Sequence, residues 1–205
     1  MLLMGVVLYG FFQEATTAGV NSVVAQEGVV RKTQFPRLVI PLSTVLTGTF
    51  NLALNLVVVI VFIFAFGVDP TWTWLLFPVA FLFLFTLTAA ISSALSVLYV
   101  RFRDVAIIWV VLAQVLFYAT PILYPVTFAT KNHGETIEHL LMINPLAVIF
   151  QQVRVWILAE PQAPTAVEAA GGWAGLLPAA AIFAGICLFA VWIFNREAPR
   201  IAEDL

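Results

Sequence analysis

His133 and His139 are the two histidines of this 205-residue chain, and their spacing decides what they can do. Two imidazoles on one helix face hold a metal when they stand at i and i+4, as in HExxH. Six residues apart, with no cysteine or HExxH pattern beside them, they read as solvated loop histidines rather than ligands. The serines lie in stretches remote in sequence from both, so no Ser–His–Asp relay can be assembled. Cys187, the single cysteine, sits in an apolar run where a thiol serves as a small packing residue. The Walker A pattern, GxxxxGK followed by Ser or Thr, is absent, which argues against ATP binding by this chain. Glu14 is the one ionisable side chain inside a long apolar stretch, and a lone carboxylate makes a thin proton relay. The chain therefore reads as no enzyme, with no cofactor of its own, and as powering no transport by itself.

Composition says where such a chain can fold. Hydrophobic residues make up 62% and charged residues 10%, with a mean hydropathy of +1.04. Soluble domains carry roughly 25% charged residues, so too few polar groups exist here to cover a water-facing surface. Lipid removes that difficulty, and at about 20 apolar residues per span the length allows roughly four to six helices in one membrane domain. A net charge of −2 leaves no basic stripe for phosphates, so nucleic acid is excluded as a partner.

The expected fold is all-α, a polytopic transmembrane bundle formed by residues 1–205 as one domain. Spans are predicted near 1–20, 38–66, 75–99, 105–124 and 173–194, about five in all. The first lacks the basic flank of a signal peptide. Residues 22–35 are more polar, with Val20, Val23 and Val24 at helical spacing, and predict an interfacial amphipathic helix that Gly28 weakens. Ser43, Thr44, Thr47, Thr49, Asn51 and Asn55 need partners in a bilayer, so that face meets other helices or a pore. Trp72 and Trp74 sit where interfacial aromatics belong. Residues 125–158 are mixed: Asn144-Pro145 opens an apolar run interrupted by Gln151, Gln152 and Arg154. Too polar for lipid and too apolar for water, that run predicts a re-entrant or interfacial helix.

Orientation follows from the basic residues. Placing 25–37, 99–104 and 195–205 on one side gathers Arg31, Lys32, Arg37, Arg101, Arg103, Arg196 and Arg200 there, seven of the nine Lys and Arg. Lys131 and Arg154 fall on the other. The richer side is assigned to the cytoplasm, which puts the C-terminus inside and, with five spans, Met1 outside. An uncharged helix starting at Met1 would have to translocate its amino terminus unaided, so the expectation is a missing upstream helix.

Five local patterns in order carry a resemblance: Phe11-Phe12; Arg31-Lys-Thr-Gln-Phe-Pro-Arg37 leading into Leu38-Val-Ile-Pro-Leu42; Tyr99-Val-Arg-Phe-Arg-Asp-Val105; Pro121-Ile-Leu-Tyr-Pro125; and Ile143-Asn-Pro-Leu146 with Arg154 beyond it. Together they resemble the permease subunit of ABC type-2 transporters, in the polysaccharide and polyol-phosphate export group (O-antigen, teichoic acid and galactan exporters). The likeness runs over the whole chain, although no single motif is diagnostic. Two departures stand out. The family's N-terminal amphipathic helix and first span have no counterpart, and Tyr9 stands where tryptophan is common.

The resemblance implies a homodimer in the bacterial cytoplasmic membrane, working with two copies of a separate ATPase subunit that binds ATP and Mg. It implies a lipid-linked glycan as cargo. Residues 22–35 correspond to the coupling helix that docks on the ATPase, with Val23, Gln26, Glu27, Arg31, Lys32, Phe35 and Pro36 as its contacts; alone, the basic ones also read as a positive-inside anchor. Pro36 would set the corner by holding Phe35 extended. Arg101, Arg103 and Asp104 form a cytoplasmic loop, in which Asp104 can simply complement the dipole of the following helix. Pro121, Tyr124, Pro125, Asn144 and Pro145 correspond to an outer gate. Phe117, Tyr118 and Tyr124 could stack on sugar rings, or pack against lipid. The alternatives are a type-2 permease for drugs or simple lipids, and a membrane-embedded acyl- or glycosyltransferase. The latter needs convergent polar residues at one face, where only the Arg103-Asp104 loop offers any.

Overall fold

A computed structural model describes residues 2–28, 37–124, 126, 135–158 and 163–197. Among the described residues the chain is all-helical, a bundle of α1 (Leu2–Ala25), α2 (Val39–Ala65), α3 (Phe77–Arg101), α4 (Val105–Ala119), α5 (Glu135–Leu141), α6 (Pro145–Leu158), α7 (Ala166–Ala169) and α8 (Leu177–Glu197). Short 3₁₀ turns at Trp72–Leu76 and Trp173–Leu176 lead into α3 and α8. Local chemistry marks several of these ends. α2 stops at Gly67, whose φ of +74° suits a residue without a side chain. Pro78 stands in the first turn of α3, where its missing N–H costs nothing.

The bundle is arranged inside out relative to a water-soluble one. α2 leaves Phe50, Leu54, Val57 and Val61 exposed, α4 leaves Ile107, Val111 and Val115, and α8 leaves Leu188 and Val191. Within the most apolar stretches of α2 and α8 only 17% of residues are buried. Such faces are solvated by acyl chains and would be unstable against water. α1 is the central helix, packed chiefly on α3 and α2. It buries Leu8, Phe12, Ala15, Gly19 and Val23 at spacings of three and four. Small residues let the backbones close up, as in other helix contacts within membranes. A Cβ on Gly19 would stand 2.8 Å from Ser92 Cβ on α3, and one on Gly48 of α2 would stand 3.1 Å from Ala15 Cβ.

Several expectations change here. Helix α1 does not end near residue 20: it runs through Ala25, so the segment expected over 22–35 starts within its last turn, and after a turn at Gln26 residues 27–28 are helical again, with 29–36 outside the described residues. Ser22 sustains that turn by donating to the Gly19 carbonyl at 2.7 Å, and no Gly or Pro occurs between Val20 and Glu27. α4 is shorter than the span expected over 105–124. It ends at Ala119 because Thr120, ahead of Pro121, adopts an extended conformation (φ −99°, ψ 133°). Fifteen helical residues reach only about 22 Å, less than a hydrocarbon core of roughly 30 Å. Among the described residues three helices are long and apolar enough to cross a membrane, Val39–Ala65, Trp72–Arg101 and Trp173–Glu197, and two further apolar helices, Val105–Ala119 and Pro145–Ile157, are shorter. α1 matches the three long helices in length, with 24 residues, but carries Gln13 and Glu14 at its middle.

Candidate functional site

Three places in the bundle combine polar groups with an apolar setting. The first is an open stripe on α1. Gly10, Glu14 and Asn21 are exposed and Thr17 is half-exposed, a spacing of three and four that puts them on one face. Asn51 on α2 donates from Nδ2 to Glu14 Oε1 at 3.2 Å. One turn to either side of Asn51, Thr47 and Asn55 are also exposed. Two adjacent helices thus present a polar seam with a carboxylate at its centre. The hydroxyls near the start of α2 have a different fate. Ser43, Thr44, Thr47 and Thr49 donate to carbonyls three or four residues back on their own helix, which satisfies them without a neighbouring helix.

Behind the seam lies a buried polar thread. Thr16 donates to the Phe12 carbonyl at 2.7 Å and accepts from Trp109 Nε1 at 3.1 Å. The Tyr9 hydroxyl donates to the Ala113 carbonyl, so both bonds tie α4 to α1. The Phe117 ring packs edge-on against Tyr9 at 5.1 Å, and Tyr118 lies against Phe117 at 5.4 Å. Of the aromatics proposed to face a glycan, Tyr118 is exposed, whereas Phe117 and Tyr124 are half-buried.

The second place is where the chain turns after α4. Arg154, on α6, donates to the carbonyl of Pro121 at 3.1 Å and to that of Tyr124 at 3.4 Å. Asn144 donates to Thr120 Oγ1 at 3.0 Å while its own Oδ1 accepts from the Leu146 N–H at 3.0 Å, which caps α6. Pro145 occupies the first position of that helix. At its other end, Thr73 and Trp74 donate to the carbonyls of Trp156 and Ile157. These carbonyls have no acceptor role left within the helix. The structure therefore brings together Pro121, Tyr124, Asn144 and Pro145 from the expected gate, while Pro125 lies outside the described residues. Sequence reasoning read Trp74 as an interfacial aromatic and Arg154 as a sign that this helix is no ordinary span, but named neither as a tie between elements, and gave Thr73 no role. A single arginine inside a short apolar helix was the available signal.

The third place is the opposite end, where the end of α1, the start of α2 and the ends of α3 and α8 meet. Val23 is buried there against Ile40, Val97 and Phe194, so this member of the expected coupling set is a packing residue within the chain. Gln26 is exposed and Glu27 half-buried; Arg31, Lys32, Phe35 and Pro36 lie outside the described residues. Arg101 and Arg103 are exposed, each with its guanidinium near an aromatic ring, Phe102 at 5.7 Å and Tyr99 at 5.6 Å. Asp104 takes the N-cap position of α4 with no side-chain cap hydrogen bond; its charge still complements the helix dipole. His139 is exposed, and His133 lies outside the described residues. No group of three or more His, Cys, Asp or Glu able to hold a metal occurs among the described residues.

Residues 1–158 match the family model described as ABC-2 type transporter. The O-antigen export system permease protein of Myxococcus xanthus is 28% identical over 204 residues, an alignment covering all of this chain and 75% of that relative.

Proposed function

Because this chain belongs to the ABC-2 type transporter family, we propose that it is the membrane subunit of an exporter that moves a lipid-linked polysaccharide or polyol phosphate across the bacterial cytoplasmic membrane. That it is a multi-pass membrane protein and a transporter permease follows from the family and the apolar helices. The reading of a polar path through the membrane rests on one observation, the polar seam of α1 and α2 around Glu14, Asn51 and Asn55. Acyl chains cannot solvate a carboxylate and carboxamides, so such a face borders water or another polar surface. A second copy of the chain supplies it, with the two seams enclosing an aqueous path between protomers. ATP and Mg bind to a separate ATPase subunit, which docks near Gln26 and Glu27 and the residues that follow, up to Pro36. Closure of that ATPase pushes on α2, the helix that the docking segment leads into.

The cargo class is taken from the relative that exports O-antigen, together with aromatic rings at Phe117, Tyr118 and Tyr124 that suit sugar faces. Pro121, Tyr124, Asn144 and Pro145 then form the outer gate. The end bearing Arg101, Arg103 and Arg196 faces the cytoplasm by the positive-inside rule, and the C-terminus with it.

The test is export in cells producing the chain with a cognate ATPase. Glu14→Gln, which retains a polar group for Asn51, preserves surface glycan. Glu14→Leu, which places an apolar side chain in the seam, abolishes it while ATP hydrolysis continues. Full export by Glu14→Leu, or export persisting without any ATPase, would overturn the reading.

A further inference from the structure

At the arginine-rich end, the last turns of α3 and α8 part to leave a cleft of about 210 Å³. Its floor is apolar, with Val97 and Ile193 both buried. Arg101 and Phe102 stand on the α3 side, and Trp192, Arg196 and Glu197 on the α8 side. Above this level the two helices are joined by Ala94, Ala190 and Ile193, so the cleft is closed towards the middle of the bundle. Phe102 and Trp192 are more than half exposed at its rim, 55% and 54%. Arg196 lies over the Trp192 ring at 5.2 Å and Arg101 over Phe102 at 5.7 Å. Both arginines remain exposed to water, and these ring contacts favour positions of the two guanidinium groups at the mouth.

We infer that this cleft binds an anionic phospholipid, the phosphate between Arg101 and Arg196 and the glycerol end of an acyl chain against Val97, Ile193 and Trp192. Charge favours this occupant. Two guanidinium groups and one carboxylate leave the cleft with a net charge of +1, and Glu197 already pairs with Arg196 at 3.5 Å. A phosphodiester monoanion matches that charge, and guanidinium forks suit phosphate oxygens. Position favours it too. The cleft lies at the ends of two long apolar helices, at the level where headgroups meet exposed tryptophan. The inference does not depend on which cargo is exported.

The same arginines would serve as C-terminal dipole partners or topology signals without binding any lipid. Substitution by lysine separates the roles, since it keeps the charge but loses the fork. The 205-residue chain, purified in detergent, is exposed to equal amounts of phosphatidylglycerol, phosphatidylethanolamine and phosphatidylcholine, and retained lipid is read by native mass spectrometry. Phosphatidylglycerol is retained at least several-fold over both others by the wild type. Arg101→Lys/Arg196→Lys loses that preference, while Arg103→Gln, whose arginine lies outside the cleft, keeps it. Excess glycerol phosphate does not displace the lipid, because it cannot occupy the apolar floor. Equal retention of the three lipids by the wild type overturns the inference, and that comparison needs no variant. So does an unchanged preference in the double lysine variant, or displacement by glycerol phosphate, which would mark a free phosphate site.

Discussion

Gly19 provides the sharpest test of how this bundle is held together. A methyl group there would stand 1.8 Å from Ser92 Oγ, 2.8 Å from Ser92 Cβ and 3.3 Å from Ser92 Cα. Carbon atoms settle at roughly 3.5–4.0 Å, so Gly19→Ala forces α1 and α3 apart by about 1 Å. A gap of that size forfeits a quarter to a half of each dispersion contact along the seam. Overpacking of this kind costs about 1–3 kcal/mol, offset by up to ~1 kcal/mol of helix propensity gained over glycine. With the Ser92 Cβ only 2.8 Å away the clash falls in the upper part of that range, so the net loss is about 1–2 kcal/mol, or roughly 2–8 °C in thermal midpoint for a chain of this size. The partner substitution gives the control. Ser92→Gly removes both the Oγ and the Cβ contact and leaves only the 3.3 Å approach to Cα, so Gly19→Ala/Ser92→Gly recovers most of the loss. Ser92→Ala alone is close to neutral, because its buried Oγ has no hydrogen-bond partner and its loss breaks nothing. Thermal unfolding in detergent, followed by tryptophan fluorescence or by size exclusion after heating, measures all four proteins. A midpoint for Gly19→Ala equal to wild type, or a double variant no better than the single one, would refute the idea that close backbone approach joins these helices.

Other consequences concern the polar ties. Arg154→Lys keeps a positive charge but cannot fork to both the Pro121 and Tyr124 carbonyls, and should weaken the turn by about 1.5–3 kcal/mol. Faster protease cleavage or cysteine labelling within 121–124 is the readout, and unchanged protection would dismiss the clamp. Tyr9→Phe removes the hydroxyl that reaches Ala113 and should cost about 1 kcal/mol, read as a lower midpoint. Hydrogen exchange should rise in α4 more than in α3, and equal rises would show that this bond does not tie α4 in particular.

Much of the helical architecture was legible from hydropathy. The stretches 38–66, 75–99 and 173–194 correspond closely to helices Val39–Ala65, Phe77–Arg101 and Leu177–Glu197. Long apolar runs have one economical solution in lipid, since every backbone group must be paired within the helix. The early end of α4 was also written locally, in Thr120-Pro121, but an apolar run continuing to Tyr124 masked it. The extension of α1 through Ala25 was not legible in this way. Asn21 and Ser22 look like a break on a hydropathy scale, yet Ser22 bonds to Gly19 and Val23 finds a pocket made by Ile40, Val97 and Phe194.

By itself, the sequence determined that this chain is a helical membrane protein, through composition, and which apolar runs become helices, through length. It also carried the motif order that points to an export permease and the bias of arginines towards particular loops. Tertiary structure alone decided which polar groups meet. Glu14 and Asn51 are 37 residues apart, Arg154 and Pro121 are 33 apart, and Arg101 and Arg196 share a cleft from different helices. Hydropathy is a sum over neighbours in the chain. A hydrogen bond or a cleft depends on the rotation and spacing of helices, which the packing of residues such as Gly19 against Ser92 sets.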